Sequence, residues 1–540
     1  MNSEKRFLLA VVLSFLILVF YPIYLKWLSP KSAVPPVSAP IAAGQKAQSV
    51  LLASVPANEN AQELKGSTYK FSNKHFDAEF SETGGGIRKL VLKSWATSKT
   101  GDVVLIDRDQ KPGAFLVGLP GQGIDFGNRS FSLKFLDEQN GEVHLVSEEP
   151  GKWKVSKHFK FDPEKPVIWL NVEVENLSAA QATAELELTS ELDVNVKEAN
   201  ARFRPELFVA FQDKSISSHI NKIQKQPYVG QGQIHWQALR RHYFAIIVHP
   251  DEPANLVKAT VQFDHHEFMQ STLQFPSTSV APAQILKQGF LIYAGPEYYK
   301  ELKSFGFGFE GMLAHGTFGI FKLWLLRGLQ WAHKVTGNYG WAIILITCAL
   351  KLLFTPLTHM SFESMKKMQA LQPKLKALQE RHKNDQAKLS KEMMDLYKRN
   401  KVNPMSGCLP MILQIPIFIA FYQVLAQTVE LKGEPFIFWI RDLSEPDRAW
   451  MLPFNLPLIG NLINILPILM LGSMLWQQRL TPQTGTSDQQ KMMAFMPIMF
   501  GFIFYKLPSG LVLYWFVNNM LSIFHQLFIK GKALPHYEEA

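Results

Sequence analysis

The sequence predicts a multi-domain membrane protein: an α-helical region of six spans and an exported antiparallel β-sandwich domain. Three observations carry this expectation. Apolar runs open the chain and recur through its last third. The long stretch between them alternates apolar and polar residues with period two. Basic residues gather beside the apolar runs. The 540 residues suffice for several domains. The net charge of +10 could serve nucleic acid or anionic lipid, but its placement fits membrane lipids and topology, so no direct sequence-specific nucleic-acid partner is expected.

Residues 1–28 read as an uncleaved signal-anchor helix. Lys5 and Arg6 precede the apolar run Phe7–Leu25, and no small-residue cleavage site follows it. Residues 29–66 form a Pro/Ala-rich linker, because Pro30, Pro35, Pro36, Pro40 and Pro56 break regular helix. Residues 67–300 then read as an exported β-sandwich, on the far side of the membrane from the N-terminus. Phe76-Asp-Ala-Glu-Phe80, Glu142-Val-His-Leu-Val146 and Ala184-Glu-Leu-Glu-Leu188 alternate, and Gly84-Gly85-Gly86, Asn140-Gly141 and Pro150-Gly151 mark turns. Gly84–Gly86 lacks the spacing and following helix of a phosphate loop. His265 and His266 within Asp264–Glu267 would point to opposite faces of a strand, so a shared metal ion is not expected.

Phe305-Gly-Phe-Gly-Phe309 reads as a flexible aromatic joint. Residues 316–336 follow as an interfacial amphipathic helix. Phe318, Phe321, Leu325, Leu329 and Ala332 would form its apolar face, with Lys322, Arg327, Gln330 and Lys334 elsewhere and Trp324 and Trp331 as anchors. The remaining elements are a span at 339–358, a cytoplasmic helical hairpin at 361–403, spans at 405–428, 457–477, 492–507 and 509–529, and a short cytoplasmic tail at 530–540. The surplus of lysine and arginine in 361–403 places that hairpin, and with it both termini, inside.

Lys351 is the residue that an ordinary span would not contain. A charge at the centre of a span costs roughly 2.5–3.5 kcal/mol on insertion scales. The ammonium either snorkels to the cytoplasmic end or meets water in a cationic cavity. Thr347, one turn earlier on the same face, suggests a nucleophile with a lysine base, but no third group or oxyanion hole accompanies it. Ser522 and His525 on the last span are as isolated. A membrane-embedded hydrolase using Thr347 and Lys351 therefore stands as an alternative, as does a small-solute channel, although no inverted repeat is visible. Cys348 and Cys408 read as small buried hydrophobes. No cofactor, metal site, catalytic residue or nucleotide-binding motif is expected.

The run Val402-Asn-Pro-Met-Ser-Gly-Cys408-Leu-Pro410, continued by Gln414-Ile-Pro416-Ile-Phe418, resembles the signature of the YidC/Oxa1/Alb3 membrane insertases. Phe495-Met-Pro497 and Leu507-Pro-Ser-Gly510-Leu-Val-Leu-Tyr514-Trp515 match further parts, and the anchor with its exported β domain is similar to the Gram-negative form. The resemblance implies a non-enzymatic insertase and chaperone of the inner membrane, acting alone or with the Sec translocon. It implies a five-span core around a hydrophilic groove open to cytoplasm and lipid. Lys351 takes the place of the groove's usual arginine, keeping the charge without the planar fork. Thr347, Tyr514 and Trp515 match polar or aromatic groove positions. Cys408, Met411, Phe418, Phe500 and Phe504 would form the apolar substrate track. The implied partners are nascent membrane proteins, the Sec translocon with its accessory subunits, membrane lipids and, through the cytoplasmic hairpin, the ribosome.

Overall fold

The computed structural model describes residues 67–93, 102–108, 112–194, 205–211, 215–252, 258–264, 268–314, 319–382, 385–400, 402, 409–456, 460–481 and 487–530. The expected signal anchor, the linker, the tail beyond 530, His265–Glu267 and Cys408 lie outside these residues. The side chain of Met411 is likewise not described.

Alternation dictates the β region. Its central feature is a nine-stranded antiparallel sheet running from Ser215–His219 through Phe244–Pro250, Ile285–Pro296 and Val167–Asn176 to Ser132–Asp137. A five-stranded sheet built around Glu187–Asp193 and Phe268–Gln274, and a four-stranded one over Thr68–Asp107, supply the other layers. Strand Phe244–Pro250 is buried along its whole length. Phe244, Ile246 and Val248 join the core between the sheets, whereas Ala245 and Ile247 face a second core shared with the helices. Side chains alternate across a strand, so burial on both faces needs the continuous apolar run seen here. Ala184–Leu188, expected as one strand, divides between Ala182–Ala184 and Glu187–Asp193.

The glycine triplet acquires a structural role. Gly84 and Gly85 have positive φ, and their carbonyls accept from the buried Lys157 ammonium at 2.6 and 3.2 Å, with the Phe115 carbonyl at 2.9 Å. The loop wraps a lysine.

The aromatic joint makes contacts with the sheet, although Phe307 remains 43% exposed. Positive φ at Gly306 and Gly308 turns the three phenylalanines onto the sheet. Phe307 lies 3.9 Å from His249 between ring centroids, its carbonyl accepts from Trp236 Nε1 at 3.0 Å, and Phe309 meets Trp236 edge-on.

The helical region comprises α1 (Gly319–Thr336), α2 (Tyr339–Ala370), α3 (Gln372–Arg381), α4 (Gln386–Arg399), α5 (Leu409–Gln427), α6 (Ile465–Leu480), α7 (Ser487–Phe504) and α8 (Ser509–Lys530). Among the described residues, α2 and Ser509–Phe528 are long and apolar enough to cross a membrane, and Gln414–Gln427 and Ala494–Phe504 are shorter apolar helices. Helix α2 begins on an Asn338 cap, whose side chain accepts from Gly340 and Trp341 N–H. It runs through Pro356 and past the expected end at 358, because one proline removes one helical hydrogen bond without forbidding the turns beyond it. Ahead of α6 the chain forms strands Trp450–Leu456 and Gly460–Ile463, which the sequence reading did not anticipate.

The amphipathic reading of α1 needs correction. Lys322, expected away from the apolar face, is buried with Leu326, Leu329 and Ala332, while Phe321 is exposed beside Ile320, Trp324 and Trp331. The helix carries two apolar stripes, and periodicity alone cannot say which one packs. Lys322 is accommodated because it donates to Gln427 Oε1 on α5 at 3.0 Å. Nearby, Arg240 lies between Glu206, at 3.3 Å, and Glu297, at 2.7 Å and off the hydrogen-bond direction. Burial pushes Lys322 down to about 7, Arg240 adding to that and Glu297 opposing it. Burial also raises Glu297, against the pull of Arg240.

Candidate functional site

The end of α5 fixes which way the helices face. The Ala426 carbonyl meets the His242 ring at 3.2 Å, and Val429 belongs to the β core. The segment from Glu434 to Arg448 then closes over the starts of α6 and α8. Ser509 N–H donates to the Glu445 carbonyl at 2.8 Å, Gly510 N–H to the Leu443 carbonyl at 2.9 Å, and the Ser509 hydroxyl to the Asp442 carbonyl at 2.7 Å. Asp447 Oδ2 accepts from Trp439 Nε1 and from Leu466 N–H, both at 2.8 Å, capping α6. The β-domain end of the bundle is thus roofed by satisfied backbone groups.

Lys351 lies below this roof, about 18 Å along α2 at 1.5 Å per residue. It is half-buried. Its Nζ donates to Ser522 Oγ at 2.6 Å and reaches Asn518 Oδ1 at 3.5 Å, the outer limit of a hydrogen bond. Ser522 Oγ in turn donates to the Asn518 carbonyl at 2.8 Å. Among the described residues no carboxylate pairs with the ammonium. Ser522, read from sequence as isolated, is therefore its direct partner. The missed signal was the i, i+4, i+7 row of Asn518, Ser522 and His525 on an otherwise apolar helix. His525 lies further along, 5.8 Å from His359 and 5.7 Å from Phe362 between ring centroids.

Thr347 does not join Lys351. Its buried hydroxyl donates to the Ile343 carbonyl at 2.6 Å. Tyr514 is sealed in the bundle, stacked on Phe421 at 4.0 Å and hydrogen-bonded to Gln414. Trp515 is only partly buried. It gathers Phe418 at 5.1 Å, Phe504 at 5.1 Å and Phe500 at 6.0 Å. Three of the expected track residues therefore meet around one tryptophan, although Phe504 is 1% exposed and Phe418 and Phe500 are the accessible pair. Cys348 is half-buried and unpaired.

This arrangement offers a cation held by neutral oxygens, next to a face that ends in aromatic side chains. Among the described residues it offers no acid–base pair. The Ser522 proton is committed to a backbone carbonyl, and among the described residues there is no metal-ligand cluster.

The family model described as YidC periplasmic domain matches residues 68–328, and that described as 60Kd inner membrane protein matches 331–535. A protein named membrane protein insertase YidC from Pelobacter propionicus is 33% identical over 547 residues, covering 97% of this chain and 99% of that one. Its namesake from Geotalea uraniireducens is 35% identical over 547 residues, covering 98% and 100%. A solved structure of an active YidC insertase aligns over 86% of this chain and 93% of its own with 19% identity and a TM-score of 0.38, too low to carry an argument about shape. With matches running from the β region through the last helix, the chain belongs to the YidC family of membrane protein insertases.

Proposed function

We propose that this inner-membrane insertase, which is not an enzyme, receives the polar part of a nascent membrane protein at Lys351 and releases its apolar segment along the Phe418–Phe500–Trp515 face into lipid. The observation that carries this reading is the Lys351 ammonium in mid-span with, among the described residues, only Ser522 and Asn518 as partners. An ammonium that keeps unused donor capacity and has no counter-charge attracts an acidic or polar segment. The roof over the exported end directs entry from the cytoplasmic side. Burying the released segment, at roughly 25 cal/mol per Å² of apolar surface, drives the step without a nucleotide.

In this reading six spans cross the inner membrane: the signal anchor, α2, α5, α6, α7 and α8. The β domain is periplasmic and both termini are cytoplasmic. Helix α1 lies at the outer surface with Trp324 and Trp331 toward lipid. The basic hairpin α3–α4 meets the ribosome or the emerging chain, and the β domain meets Sec accessory subunits. Cys408 and Met411, whose side chains lie outside the described residues, are further contacts for the apolar segment in this reading.

A photocrosslinker at position 500 or 518, with a stalled nascent membrane protein bound, tests the reading. Adducts at both positions are expected. Adducts at neither, with crosslinking on the far side of α2 instead, would overturn it.

A further inference from the structure

Helix α6 is short for a span. Its 16 residues rise about 24 Å, against a hydrocarbon core of roughly 30 Å. It ends in Gln477-Gln478-Arg479, so the apolar part from Ile465 is nearer 18 Å. Directly before it stands the antiparallel pair Trp450–Leu456 and Gly460–Ile463, with Trp450 opposite Ile463 and Met451 opposite Leu462. Trp450, Met451 and Phe454 are 69%, 67% and 58% exposed.

These side chains stand on a braced support. The Tyr505 hydroxyl at the end of α7 donates to the Leu462 carbonyl at 2.8 Å and accepts from Asn464 N–H at 3.1 Å. The Asn464 side chain donates to the Tyr505 carbonyl at 2.6 Å and accepts from Arg448 N–H at 2.9 Å. The exposed apolar surface continues into Ile468 and Leu469 on the first turn of α6.

We propose that this hairpin is seated in the outer leaflet, with Trp450, Met451 and Phe454 in the boundary between headgroups and acyl chains, where they complete the apolar height that α6 lacks. Continuity with the lipid-facing side of α6 selects lipid as the occupant. Tryptophan and the exposed Arg441 and Arg448 on the same loop suit headgroup depth. The open edges of a two-stranded ribbon hold its backbone at headgroup depth, since unpaired backbone groups cost several kcal/mol each in hydrocarbon, while the side chains reach in toward the acyl chains. The proposal rests on reading α6 as a span.

Spin labels decide it. In the full chain, with Cys348→Ala and Cys408→Ala, single cysteines replace Phe454, Ile468 as the span reference and Val229 as the aqueous reference on the β domain. The protein is placed in phosphatidylethanolamine–phosphatidylglycerol vesicles. Oxygen accessibility relative to a water-soluble nickel complex should be at least about threefold higher at 454 than at 229, as the aqueous reagent is excluded from the acyl region. A ratio at 454 equal to that at 229 overturns the proposal. Low accessibility to both reagents, the signature of a protein partner or a second copy, also overturns it. An aqueous Ile468 label overturns the span reading as well, whereas a lipid-exposed 468 beside an aqueous 454 overturns the hairpin proposal alone. In a second measurement, the triple variant Trp450→Ser, Met451→Ser, Phe454→Ser should insert substrate less well than the parent in long-chain vesicles and match it in short-chain ones. Parity in both overturns the proposal.

Discussion

Lys351 Nζ stands 2.6 Å from Ser522 Oγ, and that oxygen's own proton points to the Asn518 carbonyl 2.8 Å away. A hydroxyl has one proton to give and lone pairs to offer. Here the proton is spent on backbone and a lone pair faces the cation, so Ser522 substitutes for water and is no nucleophile.

If the charge attracts substrate, its sign matters more than its shape. Lys351→Glu should lower insertion of substrates with acidic exported tails by about tenfold, equivalent to about 1.4 kcal/mol. Lys351→Arg should stay within about threefold of the parent, since the charge is preserved. Protease protection of the tail in proteoliposomes reads both. Equal insertion by the glutamate variant would remove the attracting charge from the mechanism.

The neutral partners should matter less. Ser522→Ala removes one hydrogen bond to a charged group, a stability loss of about 1.5–3 kcal/mol, and leaves the ammonium in place. Insertion should persist. Thr347→Val replaces a hydroxyl that serves only the Ile343 carbonyl, and insertion should remain within about twofold. Loss of all activity in either variant would revive serine or threonine chemistry.

The long apolar helix carrying Lys351 and the β alternation were legible in the sequence, because each rests on a periodicity or on a charge in an apolar run, whereas the aromatic residues now seen around Trp515 were named only through the family resemblance. The partners of Lys351 were not. Ser522 and Asn518 lie far along the chain, and only helix packing brings α8 against α2. The orientation of α1 was also hidden: Lys322 is buried because Gln427 is there to accept. The hairpin before α6 escaped because Gly460–Ile463 was absorbed into the span expected at 457–477, where short apolar runs do not distinguish strand from helix, and Trp450–Leu456, interrupted by Pro453 and Asn455, fell in the loop before it.

Phe500 and Phe504 should behave differently, although sequence placed them on one track. Phe504 is packed against Phe418, Phe500 and Trp515. Phe504→Ala should therefore cost about 3–5 kcal/mol of stability, as buried aromatic truncations do. Phe500→Ala should cost less and instead reduce crosslinking to a nascent chain. Thermal unfolding in detergent and crosslinking yield separate the two effects. Equal stability losses would show that Phe500 is also core.

At the junction between the β domain and the helices, Arg240→Met would leave Glu297 without its cation and take one partner from Glu206. Breaking one side of a buried pair costs about 3–5 kcal/mol. The loss should appear as a lower unfolding temperature. Adding Glu297→Gln should recover part of it, because it removes a buried carboxylate left without its cation. No recovery would mean that the pair does not act as a unit.

Lys157 gives the β domain a pH signature. It is fully buried among three carbonyls, and burial pushes its ammonium down to about 7 from an ordinary 10.5. The carbonyl acceptors oppose that shift by favouring the charged form. Below the folded value both states carry the proton, and stability does not respond to this group. Between the folded and unfolded values the unfolded chain holds a proton that the folded one has released, so stability rises with pH, by at most about 1.4 kcal/mol per unit. Above the unfolded value the response flattens again. Pulse proteolysis in urea at pH 7, 8 and 9 should show the midpoint for the β domain climbing. Lys157→Met, less stable at every pH because the three carbonyls lose their donor, should remove that part of the slope. Identical slopes in the parent and the variant would show that the buried amine keeps its proton throughout, its three acceptors outweighing the loss of water.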